Sequence, residues 1–173
     1  MKKFIGILCL FYLLAGDVSA QTLKMIVDST KYKISVDYTK TVKKMIAVGK
    51  YPWLDNSVNA QNFPLPAKLV GKIVTVSVRT CYFTGDVESD EAIKEINKKG
   101  YRLATLSELL AFGAAHSELQ KQFSIVALGS VWERTEDSLF APFLGLHEGG
   151  RAIRLHSLSK DWHLGWRFLV VPK

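Results

Sequence analysis

Between His147 and His163 the chain places three imidazoles and two carboxylates (His147, Glu148, His156, Asp161, His163) within 17 residues. Imidazole with carboxylate is a donor set for zinc and similar ions. The spacing lacks what would hold those donors together: there is no His-Glu-x-x-His, no His-x-x-x-His helical register and no cysteine pair. Histidines in turns account for the pattern without a metal. Glu133, Glu136 and Asp137 form a second group, and clustered hard oxygens suit calcium. An acidic turn at a strand end accounts for these three as well. The expectation is therefore no metal and no cofactor, with Glu133, Glu136 and Asp137 as the weak calcium candidates.

Covalent catalysis has little support. Ser130 lies in Leu128-Gly-Ser-Val-Trp132, which is not a Gly-x-Ser-x-Gly elbow. Hydrolysis of a glycosidic bond needs two carboxylates. Glu133 and Asp161, or one of the histidines, are the residues that an envelope hydrolase would use, and no spacing singles them out. No catalytic residue is assigned, and a non-enzymatic role is favoured.

Aromatic residues near polar groups point to binding. Trp132, Trp162 and Trp166 lie close in sequence to Arg134, His147, Arg151 and His163. An indole face beside hydrogen-bonding groups is how proteins hold sugars and flat or cationic ligands. Trp132 and Trp166 fall in strand-like runs and are expected in the core. Trp162, between Asp161 and His163, is expected to be exposed. It heads the candidate ligand-binding set of Trp162, Arg134, Glu133, His147, Arg151 and His163, on a face made by residues 133–150 and 156–164.

The elements that must position these residues read as follows. Tyr32, Ile34 and Val36 alternate with Lys33 and Ser35, predicting a half-buried strand. Thr39 or Thr41 can cap a short helix carrying Val42, Met45 and Ile46, which Gly49 ends. Residues 51–67 are rich in turns and aromatics and form the longest irregular segment, the kind of loop that often carries function, with core plugging by Trp53 and Phe63 as the alternative. Residues 72–83 predict the clearest strand, Val74, Val76 and Val78 on one face. Ser89 is expected to cap a helix reaching Lys98, with acids leading and lysines trailing. Thr105-Leu-Ser-Glu108 is a capping box opening a second main helix, with Leu106, Leu109, Leu110 and Ala114 inward. Residues 117–123 add one further turn. Residues 125–132, 151–155 and 166–171 are expected strands, the last central because it is apolar on both faces. Residues 145–150 read as a tight connection.

Met1 to Ala20 has the form of a signal peptide: Lys2 and Lys3, an apolar stretch over residues 4–15, then Val18-Ser19-Ala20 at the cleavage positions. The apolar run is too short to span a bilayer, and no later segment is long enough. Cleavage would leave a mature chain from Gln21, exported to the periplasm or secreted, with no transmembrane segment and with Cys81 as its one cysteine. That thiol cannot form an internal disulfide and is expected to be a small packing residue. Residues 21–80 carry ten basic against three acidic side chains, and residues 81–173 eleven against twelve. The basic half is compatible with anionic partners such as acidic glycans or envelope components, although spread lysines also make an ordinary solvated surface. Lys40 to Lys50 with Tyr51 and Trp53 is the nearest approach to a nucleic-acid surface, and export argues against that partner.

The order of motifs after Gly100 carries a resemblance. Gly100-Tyr-Arg-Leu-Ala-Thr105, Gly129-Ser-Val-Trp-Glu-Arg-Thr-Glu-Asp137, Arg151-Ala-Ile-Arg-Leu155 and Gly165-Trp-Arg-Phe-Leu-Val170 resemble a shortened formylglycine-generating-enzyme-type domain, which belongs to the C-type-lectin-like fold. The family pattern runs from an Arg-Leu-Pro-Thr helix start through a Gly-Asn-Val-Trp-Glu-Trp strand to a closing Gly-Phe-Arg strand. It matches at 102–105, 129–133 and 165–168. The stretch 99–171 also resembles a group of small uncharacterised bacterial proteins. The resemblance implies one α+β domain with a mixed lectin-like sheet and two main helices over residues 71–173, preceded by an N-terminal elaboration over residues 21–70. Ala104 replaces the family proline and Arg134 its second tryptophan. The family's copper-activated oxidation needs C-terminal thiolates, and no cysteine follows Cys81. Neither sugar-site tripeptide of calcium lectins, Glu-Pro-Asn or Gln-Pro-Asp, occurs. What the resemblance leaves is a scaffold that commonly serves as a binding module for a glycan, an envelope component or another protein, with a structural envelope or assembly role as a further alternative.

Overall fold

The computed structural model describes residues 23–173. The expected leader, with Cys9 and the cleavage site before Gln21, lies outside the described residues. In chain order the elements are β1 (Met25–Val27), β2 (Tyr32–Asp37), α1 (Val42–Gly49), β3 (Trp53–Leu54), β4 (Ile73–Phe83), α2 (Ser89–Lys98), β5 (Tyr101–Leu103), α3 (Leu106–Ala115), a 3-10 turn (Leu119–Lys121), β6 (Ser124–Val126), β7 (Trp132–Thr135), β8 (Ser138–His147), β9 (Gly150–Ser157) and β10 (Trp166–Pro172). The strands form one mixed sheet in the order β1-β4-β10-β6-β8-β9-β3, with β2 also on β4, β5 on β10 and β7 on β8. The β10–β6 and β3–β9 pairs are parallel and the others antiparallel. Over the described residues the molecule is an α+β domain, mostly sheet, with three helices: the two expected main helices are α2 and α3, and α1 is the third.

Strand β10 lies inside the sheet, between β4 on one side and β6 and β5 on the other. Its two apolar faces feed two separate cores. Leu169 and Val171 join Ile34 and Val36 of β2, Met45 of α1, Phe63, and Leu109 and Leu110 of α3. Phe168 and Val170 join Cys81 and Phe83 of β4, Ala92 and Ile96 of α2, Phe143 of β8, and Trp162. Helices α1 and α3 thus cover one face and α2 part of the other. Residues 34–63 share the first core with residues 104–171, and β2 pairs with β4 along its whole length. The N-terminal stretch is woven into the same sheet as the rest.

Local signals explain the helices. Thr105 caps α3: its hydroxyl accepts from the Glu108 amide, and the Glu108 carboxylate accepts from the Thr105 amide. Thr41 accepts from Lys44 N–H to cap α1. Lys50, not Gly49, takes the left-handed position after α1, with φ 50°. Gly49 is the last helical residue, and the position is glycine because the Tyr51 ring would lie 2.1 Å from a Cβ there.

Four expectations are corrected. The residue preceding α2 is Glu88; Ser89 is the first helical residue and turns inward. Residues 125–132 are not one strand, because the chain turns at Gly129, whose backbone passes so close to Ala104 that a Cβ would fall 2.6 Å from its carbonyl oxygen. Residues 133–150 are not an open connection. Strand β8 runs through them, and the tight turn is confined to Glu148-Gly149, both at positive φ (47° and 78°) between the paired His147 and Gly150. Trp162 is not exposed: it retains 1% of its accessible surface.

Candidate ligand-binding cleft

Trp162 is buried because its indole N–H has a partner inside. Nε1 donates to Ser89 Oγ at 2.9 Å, and Ser89 Oγ donates to the Leu158 carbonyl at 2.8 Å. The Trp162 backbone also pairs with Val87. A polar-tipped ring can be fully enclosed only when that tip is satisfied. Trp162 thereby becomes a wall between the N-terminus of α2 and the open end of the sheet.

Aromatic side chains continue outward from that wall. Phe83 meets Phe168 at 5.5 Å, Phe168 meets Trp162 at 5.5 Å, and Trp162 meets Trp166 edge-on at 4.8 Å. His156 lies 4.6 Å from both tryptophan rings, and Phe143 lies 4.8 Å from Trp166. Register explains the convergence. Arg154 and His156 sit two apart on β9, so they share a face, and they stand opposite Phe143 and Ala141 of β8. Trp166 enters the same cluster from β10.

Beyond these rings lies a cleft of about 600 Å³, lined by Phe140, Phe143, His156 and Trp166 with Leu146, Leu155, Ser124 and Ser157, and edged by Arg154 and Lys160. Among the described residues no carboxylate lines it. Among the described residues neither Arg154 nor Lys160 forms an ion pair. Burial holds the His156 imidazole below its ordinary pKa, and the neighbouring Lys160 and His163 act in the same direction. Its Nε2 is shut off from water without a partner. A separate hollow of about 440 Å³ contains the nearby acids Glu88, Asp90, Asp137 and Asp161 with Ser89 and Ser159.

The six ligand-binding candidates do not converge. Trp162 is interior. Glu133 and Arg134 lie exposed on β7. His147 packs edge-on against Trp53 at 4.7 Å, beside a smaller hollow that Arg154 also borders. His163 is exposed, its Nδ1 3.0 Å from Asp86. Arg151 is a clamp: Nη1 donates to the Gly49 carbonyl at 2.8 Å, Nη2 to the Gly113 carbonyl at 2.7 Å and Nε to Gln120 at 3.0 Å. Its guanidinium also lies 4.6 Å over the Tyr51 ring. It thereby places a cation on carbonyls near the C-terminal ends of α1 and α3, where helix dipoles favour one. The calcium candidates Glu136 and Asp137 form the exposed β7–β8 turn, and among the described residues no three His, Cys, Asp or Glu side chains converge on a point that could hold a metal. Ser130, considered above as a nucleophile, accepts a hydrogen bond from the first amide of α3 at 2.9 Å. Cys81 is fully buried, and burial pushes its thiol up.

The cleft residues Phe140, Phe143, Arg154, Lys160 and Trp166 escaped the sequence reading as site residues, and His156 entered it only as a metal donor. The Arg154-Leu-His156 alternation was a usable signal. It lacked a partner because β8 was not recognised as a strand.

Comparison with family models, with curated proteins and with solved structures finds no match for the chain.

Proposed function

We propose that this protein is an exported, non-enzymatic binding module, and that its cleft between β8, β9 and β10 holds a glycan or another cell-envelope component. The observation carrying this reading is the cleft itself: rings on its floor, two cations at its edge, and no carboxylate among its lining residues. Its volume falls in the range of small-molecule pockets. Export rests on the charged, apolar and small-residue segments of the first 20 residues. A C-type-lectin-like arrangement is supported by the order of motifs after Gly100, by the capped α3 and by the interior position of β10.

The hydrolase reading is weaker. Glu133 stands on β7 and Asp161 lines the acidic hollow, so the pair does not face the aromatic cleft. A protein-binding or assembly role draws on a different observation: Trp53, Leu54 and Leu146 are 40%, 43% and 44% exposed, and the first two form the edge strand β3.

The test is binding to an array of envelope-type glycans by the wild type and by Trp166→Ala, with circular dichroism to confirm that the variant is folded. We expect Trp166→Ala to lose binding at least tenfold. Undiminished binding by the folded variant would remove the cleft from the function.

A further inference from the structure

We infer that the ligand of this cleft is an anionic saccharide, a sugar ring against the aromatic wall with its carboxylate or phosphate on Arg154 and Lys160. The inference rests on the cleft reading above and adds the charge of the ligand and the residues that read it.

Net composition points elsewhere, to the lysine-rich stretch before residue 81. The structure separates that stretch from the cleft: Lys43 and Lys44 lie on α1 and Lys40 and Lys50 flank it, and α1 packs with α3 over the opposite core. The cleft has its own cations. Arg154 and Lys160 form no ion pair and no side-chain hydrogen bond among the described residues, so their charge is not spent within the fold. Asp161, next to Lys160, and Asp137, next to β8, line the other hollow, and Glu148, in the turn between β8 and β9, lies 3.9 Å from His147. An anion entering the aromatic cleft therefore meets two unneutralised cations and no lining carboxylate. Asp55, which borders the smaller hollow with Arg154, is not paired with it.

The rest of the site favours a sugar ring over a bare ion. A guanidinium offers a planar fork to a carboxylate or phosphate, and charge-assisted hydrogen bonds of that kind are about twice as strong as neutral ones. Phe143, His156 and Trp166 supply the apolar surface on which the C–H face of a pyranose can rest. His156, held neutral by burial, adds surface without adding charge. About 600 Å³ admits more than one ring.

The experiment titrates trigalacturonate, its uncharged methyl ester, a phosphorylated mannotriose and a short oligonucleotide into the protein comprising residues 21–173, reading the tryptophan indole signals by ¹H–¹⁵N NMR. The same titrations are run on Arg154→Gln/Lys160→Gln, whose changes lie at exposed side-chain ends. We expect an anionic probe to move the Trp166 signal, with the ester at least tenfold weaker. The double variant should lose at least tenfold of the anionic affinity and little of the ester's. Preference between the carboxylated and phosphorylated probes identifies which anion is read. Equal binding of acid and ester, or full affinity in the double variant, would overturn the anionic assignment while leaving the cleft as the site. Tight binding of a short oligonucleotide in place of any saccharide, lost in the double variant, would overturn the sugar. Binding that moves other signals and spares Trp166 would overturn the cleft itself.

Discussion

The indole of Trp162 and the guanidinium of Arg151 do structural work that their residue types do not announce. Each is a side chain associated with binding, and each is consumed by internal partners: Ser89 for the indole, and the carbonyls of Gly49 and Gly113 with Gln120 for the guanidinium. Gln120 is itself buried and donates to the Gly145 and Ala152 carbonyls, so the clamp reaches from the helix ends into the sheet. Ser89→Ala should therefore act on the fold and not on ligand contact. It leaves a buried indole N–H and the Leu158 carbonyl without their partner, a loss of about 1–3 kcal/mol. Urea denaturation would show it as a lower midpoint with an unchanged slope. An unaltered midpoint would mean that the Ser89 bridge contributes nothing. Which tryptophans lie near polar groups was legible at this scale. Which of them still had surface to offer was not, because that depends on a serine 73 positions away from Trp162.

Helix α3 shows what an element-level signal can deliver. The capping box stands as read, and the structure adds a layer: Arg102 binds the Glu108 carboxylate bidentately, at 2.6 and 3.0 Å. Glu108 is only 2% exposed, so it is a buried carboxylate with every near donor used. Thr105→Ala should destabilise by about 1 kcal/mol, the usual value of an N-cap. Glu108→Ala should cost more, about 2 kcal/mol, because it removes the acceptor of the Thr105 amide and the partner of Arg102 together, while Arg102, 43% exposed, regains water. Thermal melts of the pair would rank them, and equal losses would show that the Arg102 contact adds nothing. Gly113→Ala belongs to this scale as well. Its Cβ would fall 2.2 Å from the Tyr51 hydroxyl and 2.4 Å from Leu144 Cδ1, so repacking should cost about 1–3 kcal/mol. Strand β8 shows the opposite case. Pro142 and Gly145 interrupt its pattern, and proline inside a sheet argues against a strand when only local propensity is weighed. Pairing with β9 along Phe140–His147, and with β6 and β7 on the other side, overrides that propensity.

Across the whole molecule, two half-buried imidazoles contribute to the acid response. His116, between Tyr32 and Phe112, and His156, between Trp162 and Trp166, are both held below the ordinary histidine pKa of 6.5 by burial. The folded state therefore binds fewer protons than the unfolded one between those lowered values and 6.5. Their contribution to stability is fully present above pH 6.5 and is lost as the pH falls below it. Asp37 acts further down. Hydrogen bonds from Lys40 and Thr39 lower its carboxyl to about 2, so what it contributes is present above its ordinary value of 3.8 and disappears as the pH falls toward 2. The melting temperature should fall between pH 7.5 and 5.5, and His116→Gln/His156→Gln should flatten that drop. A drop of the same size in the double variant would assign it to other groups.

By itself the sequence determined the α+β class, the capping of α1 and α3, the alternation of β2 and β4 and the two-faced character of β10, because propensity, capping and periodicity act within a few residues. Tertiary structure decided which aromatic and charged residues remain available. Cross-strand register brought Arg154 and His156 opposite Phe143 and Ala141, and the Ser89 hydroxyl drew Trp162 inside. Those outcomes depend on contacts between elements far apart in the chain, and the cleft is where they leave rings and cations unpaired.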